Sequence, residues 1–159
     1  MRDVPDWLPS PLTFEGDWEA FVRQAYSVFE KDLKVYPKPV YRGYVVFHDR
    51  RLIGSDKEEG FWHLISREDH LTKERLPEIA RAARIPWIRA VIENAHKNDV
   101  VAFDHREARN KVRTYLWVQR CDYVVILEKK RTVAFLVTAY NIDNDLQRKK
   151  LDKKFNNRL

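Results

Sequence analysis

Val112-Arg113-Thr114-Tyr115-Leu116-Trp117-Val118-Gln119 reads as a β-strand, and the rest of the chain is interpreted outward from it. β-branched and aromatic residues fill the stretch, and side chains of a strand alternate between its two faces. Val112, Thr114, Leu116 and Val118 share one parity, while Arg113, Tyr115 and Trp117 share the other. The same signature recurs at residues 100–104, 123–128 and 132–140. Lys129-Lys130-Arg131 is short enough to join the last two segments as a hairpin. Four strands with short connections predict an antiparallel meander. One face is expected to pack on helices and the other to show Arg, Tyr, Trp and Thr. In the last strand Thr138 and Tyr140 share a parity with Ala134 and Leu136.

Toward the N-terminus, Pro5, Pro9 and Pro11 alternate with Trp7, Leu8, Leu12 and Phe14, which predicts an extended arm packed on the domain and ended by Gly16. Asp17 is placed to cap a helix, because Trp18, Phe21, Val22, Ala25, Val28, Phe29 and Leu33 recur at spacings of three and four. That helix is expected to end near Val35, before the Pro37-Lys38-Pro39 break. Residues 40–47 read as a strand, with a short return strand around Leu52 and Ile53. A further strand is expected over residues 61–66. Residues 74–97 read as two helices broken at Pro86, the first with Leu76, Ile79, Ala80 and Ala83 on its buried face. Ile88, Val91, Ile92 and Ala95 mark the buried stripe of the second, leaving Arg75, Arg81, Arg84 and Arg89 outside or for a ligand. Asp143 to Leu159 forms a basic helical tail. A single domain over 1–159 follows: arm and helix over 1–39, core over 40–142, and C-terminal helix over 143–159.

Composition narrows the function classes. Thirty Lys and Arg against 24 Asp and Glu give +6, and with five Trp, seven Tyr and eight Phe this fits a phosphate-bearing partner. Cys121 is the one cysteine, so neither an internal disulfide nor a cysteine zinc cluster is available. No apolar run approaches the roughly 20 residues of a membrane span. The stretch from Met1 to Asp6 is too acidic and too broken for a signal peptide. A cytoplasmic protein without membrane contact is expected.

The chemistry-bearing stretch is Gly60-Phe61-Trp62-His63-Leu64-Ile65-Ser66-Arg67-Glu68. Apolar flanks plant it in a core, and Ser66-Arg67-Glu68 then leaves for solvent, which sets His63 at the rim. A histidine there can titrate near neutrality and reach a substrate. Phosphate-cradling glycine loops, a GxSxG elbow and a His-Glu-x-x-His motif are all absent from the sequence. His63 and His70 with Glu68 and Asp69, or His96, Asp99, Asp104 and His105, match no metal-ligand spacing. One histidine, several arginines, hydroxyls and aromatics suffice for RNA cleavage, because the ribose 2′-hydroxyl supplies the nucleophile. His63 is the candidate acid or base, with Arg67, Arg84 or Arg113 for the phosphate and Thr138, Tyr140 and Tyr115 to orient it or assist proton transfer.

Four segments, 60–67, 81–88, 113–117 and 136–140, resemble in their order the phage-associated barnase–EndoU–colicin–RelE-like nuclease family. Phe61-Trp62-His63 is the most specific of the motifs, and the resemblance spans roughly residues 40–155. It implies an α+β fold with helices packed on a twisted, mainly antiparallel four-stranded sheet, and the N-terminal helix region falls outside it. With the segments read above, the expected whole is N-terminal helices packed on that sheet, an extra β-hairpin and a C-terminal helix. It further implies a metal-independent, cofactor-free endoribonuclease of toxin-like or phage–host conflict type. Its substrate is then tRNA, mRNA or ribosome-bound RNA, and an antitoxin or immunity protein is a candidate partner. The catalytic set it implies is His63, Arg67, Arg113, Thr138 and Tyr140, with Arg84, Trp87, Tyr115, Trp117 and Lys111 binding substrate. Ser66 stands where the family pattern has Thr, which keeps the hydroxyl. The alternatives are a nucleic-acid-binding module without catalysis and a phage protein-interaction or inhibitor domain.

Overall fold

Asp17 accepts a hydrogen bond from Ala20 N and starts α1 (Trp18–Phe29), which runs on as a wider π turn through Glu30–Lys34. The computed structural model describes residues 4–69 and 71–159; His70 and the first three residues lie outside the described residues. Next come β1 (Val40–Tyr41) and β2 (Tyr44–Phe47), joined by Arg42 and Gly43. Both turn residues have positive φ, 46° and 87°, as a tight hairpin requires. Then follow α2 (Glu59–Ile65), β3 (Ser66–Glu68), β4 (Arg75–Pro77), α3 (Ile79–Ala83) and α4 (Trp87–Glu93). The expected meander is present as β5 (Val100–Arg106), β6 (Val112–Val118), β7 (Tyr123–Lys130) and β8 (Val133–Asn141), followed by α5 (Asp145–Asn156).

The fold is α+β, and its sheet is larger than expected. Six strands lie in the order β1-β2-β8-β7-β6-β5, with β2 parallel to β8 and every other pair antiparallel. β3 and β4 pair separately. Phe61, Leu64, Leu116, Val125 and Leu127 belong to the core between one sheet face and α1–α4. Phe103, Tyr115, Trp117, Val124 and Ile126 are buried on the other face, where Leu151 and Phe155 of α5 cover them. Both faces of the meander are therefore buried, so no Arg-Tyr-Trp face is open to solvent. The N-terminal arm packs as expected: Leu12 N donates to Ala83 O at 2.8 Å and Trp7 Nε1 to Asp99 Oδ2 at 3.1 Å.

Four local expectations need correction. Residues 61–65 are helical, because Phe61, Leu64 and Ile65, spaced i, i+3, i+4, all enter one core. Leu52 and Ile53 are exposed and form no strand, and the single strand expected over 40–47 instead folds back at Arg42-Gly43 as the β1–β2 hairpin. Arg75 to Pro77 is a strand held by β3, which shortens the first helix to α3 and leaves Leu76 and Ile79 exposed. In β8, Val137 is an extra residue, since Thr138 pairs with Ile126 and Leu136 pairs with Leu127. The bulge inverts the parity beyond it. Ala139 therefore joins Ala134 and Leu136 in the main core, while Tyr140 turns to the α5 face.

One glycine sets where α2 sits. Gly60 N donates to Asp49 O at 2.9 Å, and a Cβ at this position would lie 2.8 Å from that same backbone oxygen. Neither group is a flexible side chain, so the helix or the 48–49 segment must shift. Gly60→Ala is expected to cost about 1–3 kcal/mol in urea-induced unfolding, and an unchanged midpoint would contradict this packing.

Candidate functional site

β2 pairs with β8 only over residues 133–135, so the edge of β8 is open from Leu136 onward. The last turn of α2 docks there. Thr138 Oγ1 donates to His63 O at 3.4 Å, and the bulged Val137 lines the clefts on both sides of His63. One cleft, of about 550 Å³, is lined by His63, Arg67, Arg75, Arg81 and Thr138, with Glu68 and Asp69 at its wall. The other, of about 500 Å³, adds Arg51, Lys111, Arg113 and Lys130 to His63, with Asp49 and Glu128. His63 is thus the ridge between two cation-rich hollows.

The α2–β3 junction organises the first cleft. Ser66 ends the helix by turning extended, and its Oγ donates to Trp62 O at 2.5 Å. Its carbonyl accepts from Arg75 Nη2 and Arg81 Nη1, each at 2.9 Å, while Arg75 Nε donates to Ser66 Oγ at 2.9 Å. Two guanidinium groups are gathered on one oxygen. Burial holds Arg75 below its ordinary pKa and the neighbouring Arg81 charge adds to this, which is the signature of cations crowded out of water. Arg75 has no ion pair among the described residues. Arg81 shares Glu78 with Arg67, at 3.4 and 2.7 Å respectively.

Burial also pushes the His63 imidazole below its ordinary value, and Arg75 reinforces the shift, while Glu59 and Asp49 oppose it. His63 is therefore neutral at pH 7 and able to accept a proton. In the second cleft Arg113 faces Glu128 at 3.7 Å, and neither facing atom makes a hydrogen bond.

The structure brings His63, Arg67 and Thr138 into one cleft and His63, Lys111 and Arg113 into the other. Tyr140 lines neither; its ring carries the Arg81 guanidinium at 5.3 Å, so it supports a cleft residue instead. Arg84 belongs to the far side of the helices, donating to Ala80 O at 2.9 Å and lying 5.3 Å over Trp87. Trp87 is a core residue, 3% exposed, whose Nε1 donates to Pro9 O at 2.7 Å. Tyr115 and Trp117, each 2% exposed, lie under α5 and present no ring to a base. The Tyr115 hydroxyl is held instead by Glu107 and Lys154. Arg75 and Arg81, read from sequence only as residues for the outside or for a ligand, are the cations the site is built on.

No group of three or more His, Cys, Asp or Glu side chains among the described residues is placed to hold a metal ion. None of the helices among those residues is long and apolar enough to cross a membrane. No protein-family model, curated protein or solved structure matches the chain.

A proton NMR titration of the His63 ring is expected to give a midpoint below the ordinary 6.5. Arg75→Gln should move that midpoint upward, part of the way back, because burial is the larger cause. A wild-type midpoint at or above 6.5 would contradict the geometry.

Proposed function

We propose that the paired clefts bind one RNA strand across His63 and cleave it by attack of a ribose 2′-hydroxyl on the adjacent phosphate, without a metal ion. The observation that carries this reading is a half-buried histidine that lines one cleft with two arginines gathered on the Ser66 carbonyl. Neutral His63 takes the proton from the 2′-hydroxyl as the 2′ oxygen bonds to phosphorus. Arg75 and Arg81 face the negative charge that accumulates on the phosphorane oxygens, where fixed donors contribute most. The P–O5′ bond then breaks, and the departing oxygen takes a proton from solvent, which reaches both open clefts. Arg67, exposed, exchanges Glu78 for a substrate phosphate at little cost, since such surface pairs contribute about 0–1 kcal/mol. Lys111, Arg113 and Lys130 hold the strand on the far side of His63, and Thr138 keeps the end of α2 in place. The resemblance of the motif order to the phage-associated nuclease family supports the same reading, which would make tRNA, mRNA or ribosome-bound RNA the substrate class.

The test is incubation of the protein with tRNA, mRNA and ribosomes in EDTA. The wild-type chain is expected to cleave at least one of them, with His63→Ala slower by about 10²–10⁴-fold and Arg67→Gln binding about tenfold more weakly. The sign of the pH dependence follows from the base role: cleavage falls as pH drops through the lowered His63 midpoint and holds above it. Intact RNA throughout, or equal cleavage by His63→Ala, would overturn the proposal.

A further inference from the structure

A third cleft, of about 400 Å³, lies away from His63 and is lined by Tyr26, Lys34, Tyr36, Lys38, His48, Arg50 and Glu58, among others. Two of its buried groups lack the partners that burial demands. His48 is 4% exposed, and neither ring nitrogen makes a hydrogen bond. Its ring packs edge-on against Phe29 at 4.7 Å, and Glu58 Oε2 is 4.0 Å from Nε2. Lys38 is 7% exposed and has no carboxylate partner among the described residues. Its ammonium donates to Leu33 O at 2.9 Å and lies 5.5 Å from the Tyr36 ring centre and 5.3 Å from that of Phe47. A buried imidazole without partners and a buried cation without a counter-ion both cost stability. An anion that accepts from both would relieve the two together.

The remaining groups decide which anion. Two carboxylates line the cleft and both are already met: Lys34 at 2.9 Å and Tyr26 at 2.6 Å hold Glu58, and the exposed Asp56 faces Lys57 at 3.4 Å. Arg50 stands at the cleft with no ion pair among the described residues. Tyr36 is 77% exposed, an open aromatic ring beside the Lys38 ammonium. A site of this volume suits a small organic ligand better than a bare ion. Cations with an adjacent open ring match a phosphate carrying a base, which stacks on such rings. Burial, with the Lys38 charge adding to it, lowers His48 to about 4, so its neutral ring still has one N–H to give.

We propose that this cleft is a nucleotide site, with His48, Lys38 and Arg50 on the phosphate and Tyr36 on the base. Its position offers two sources for the same chemistry. His48 and Arg50 line this cleft while the alternate residues Asp49 and Arg51 line the Arg113 cleft. The ligand is therefore either a free nucleotide or one nucleotide of a strand lying across the 48–51 segment.

The test follows the His48 ring signal by NMR in the full chain carrying His63→Ala, so that any RNA stays intact and cleavage is not the readout. Adenosine 5′-monophosphate and a 5′-hydroxyl RNA hexamer are titrated separately, with citrate as a non-nucleotide anion. The expected result is a saturable shift of the His48 signal with one or both nucleotides. Arg50→Gln should then weaken affinity about tenfold. Lys38→Met should abolish binding while the unliganded chain keeps or gains melting temperature, since the removed charge had no counter-ion. Response to the monophosphate alone assigns a free nucleotide, and response to the hexamer identifies a strand subsite. A silent His48 signal with both, an equal shift with citrate, or unchanged affinity in Arg50→Gln would overturn the proposal. The monophosphate arm stands whether or not the His63 clefts cleave RNA.

Discussion

Strand β8 parts from β2 after residue 135 and takes in the extra residue Val137 two positions later. An open strand edge leaves backbone groups unpaired and has to be covered. Here the end of α2 covers it, anchored by Thr138 on the His63 carbonyl. Without the bulge Thr138 would share the face of Leu136, and that anchor would be lost. The rest of the site is stacked on this junction: Ser66 turns the chain out of the helix, β3 recruits β4, and Arg75 and Arg81 come together on one carbonyl oxygen.

Charge distribution follows from the same construction. Bringing guanidinium groups together out of water costs free energy unless an anion or a strong acceptor meets them. Ser66 O meets part of that need, and among the described residues no carboxylate pairs with Arg75. Buried groups short of partners occur again at Lys38 and His48, on the other side of the 48–51 segment from the Arg113 cleft. Gly60 ties the two regions, because α2 can lie against Asp49 only with no side chain at that position. A shift at Gly60 would therefore reach both the His63 clefts and the His48 cleft.

Much of this was legible in the sequence where the signal is local. The four meander strands, the Asp17 cap, the Pro86 break and the helical tail all rest on patterns within a few residues. His63 at the rim of a core, with Arg67 beside it, was readable in the same way. The 61–65 helix was also written in the chain, in the i, i+3, i+4 spacing of Phe61, Leu64 and Ile65, although a strand was expected there. What was not legible depends on partners far away in sequence. Alternation in β6 says that Tyr115 and Trp117 share a face, and only the position of α5 says that this face is buried. No Gly or Pro marks the bulge at Val137, so parity alone put Thr138 and Tyr140 with Leu136. Arg75 and Arg81 converge only because β4 pairs with β3, and His48 loses water only because Phe29 packs against it.

The central claim is that the nucleophile comes from the RNA and that His63 takes its proton. The ends of the cleaved RNA test it most directly. Attack by the ribose leaves a 2′,3′-cyclic phosphate on one fragment and a 5′-hydroxyl on the other, and this is the expected result when the products are mapped by mass spectrometry. Fragments ending in a 3′-hydroxyl and a 5′-phosphate would mean that water attacked instead, and would contradict the account.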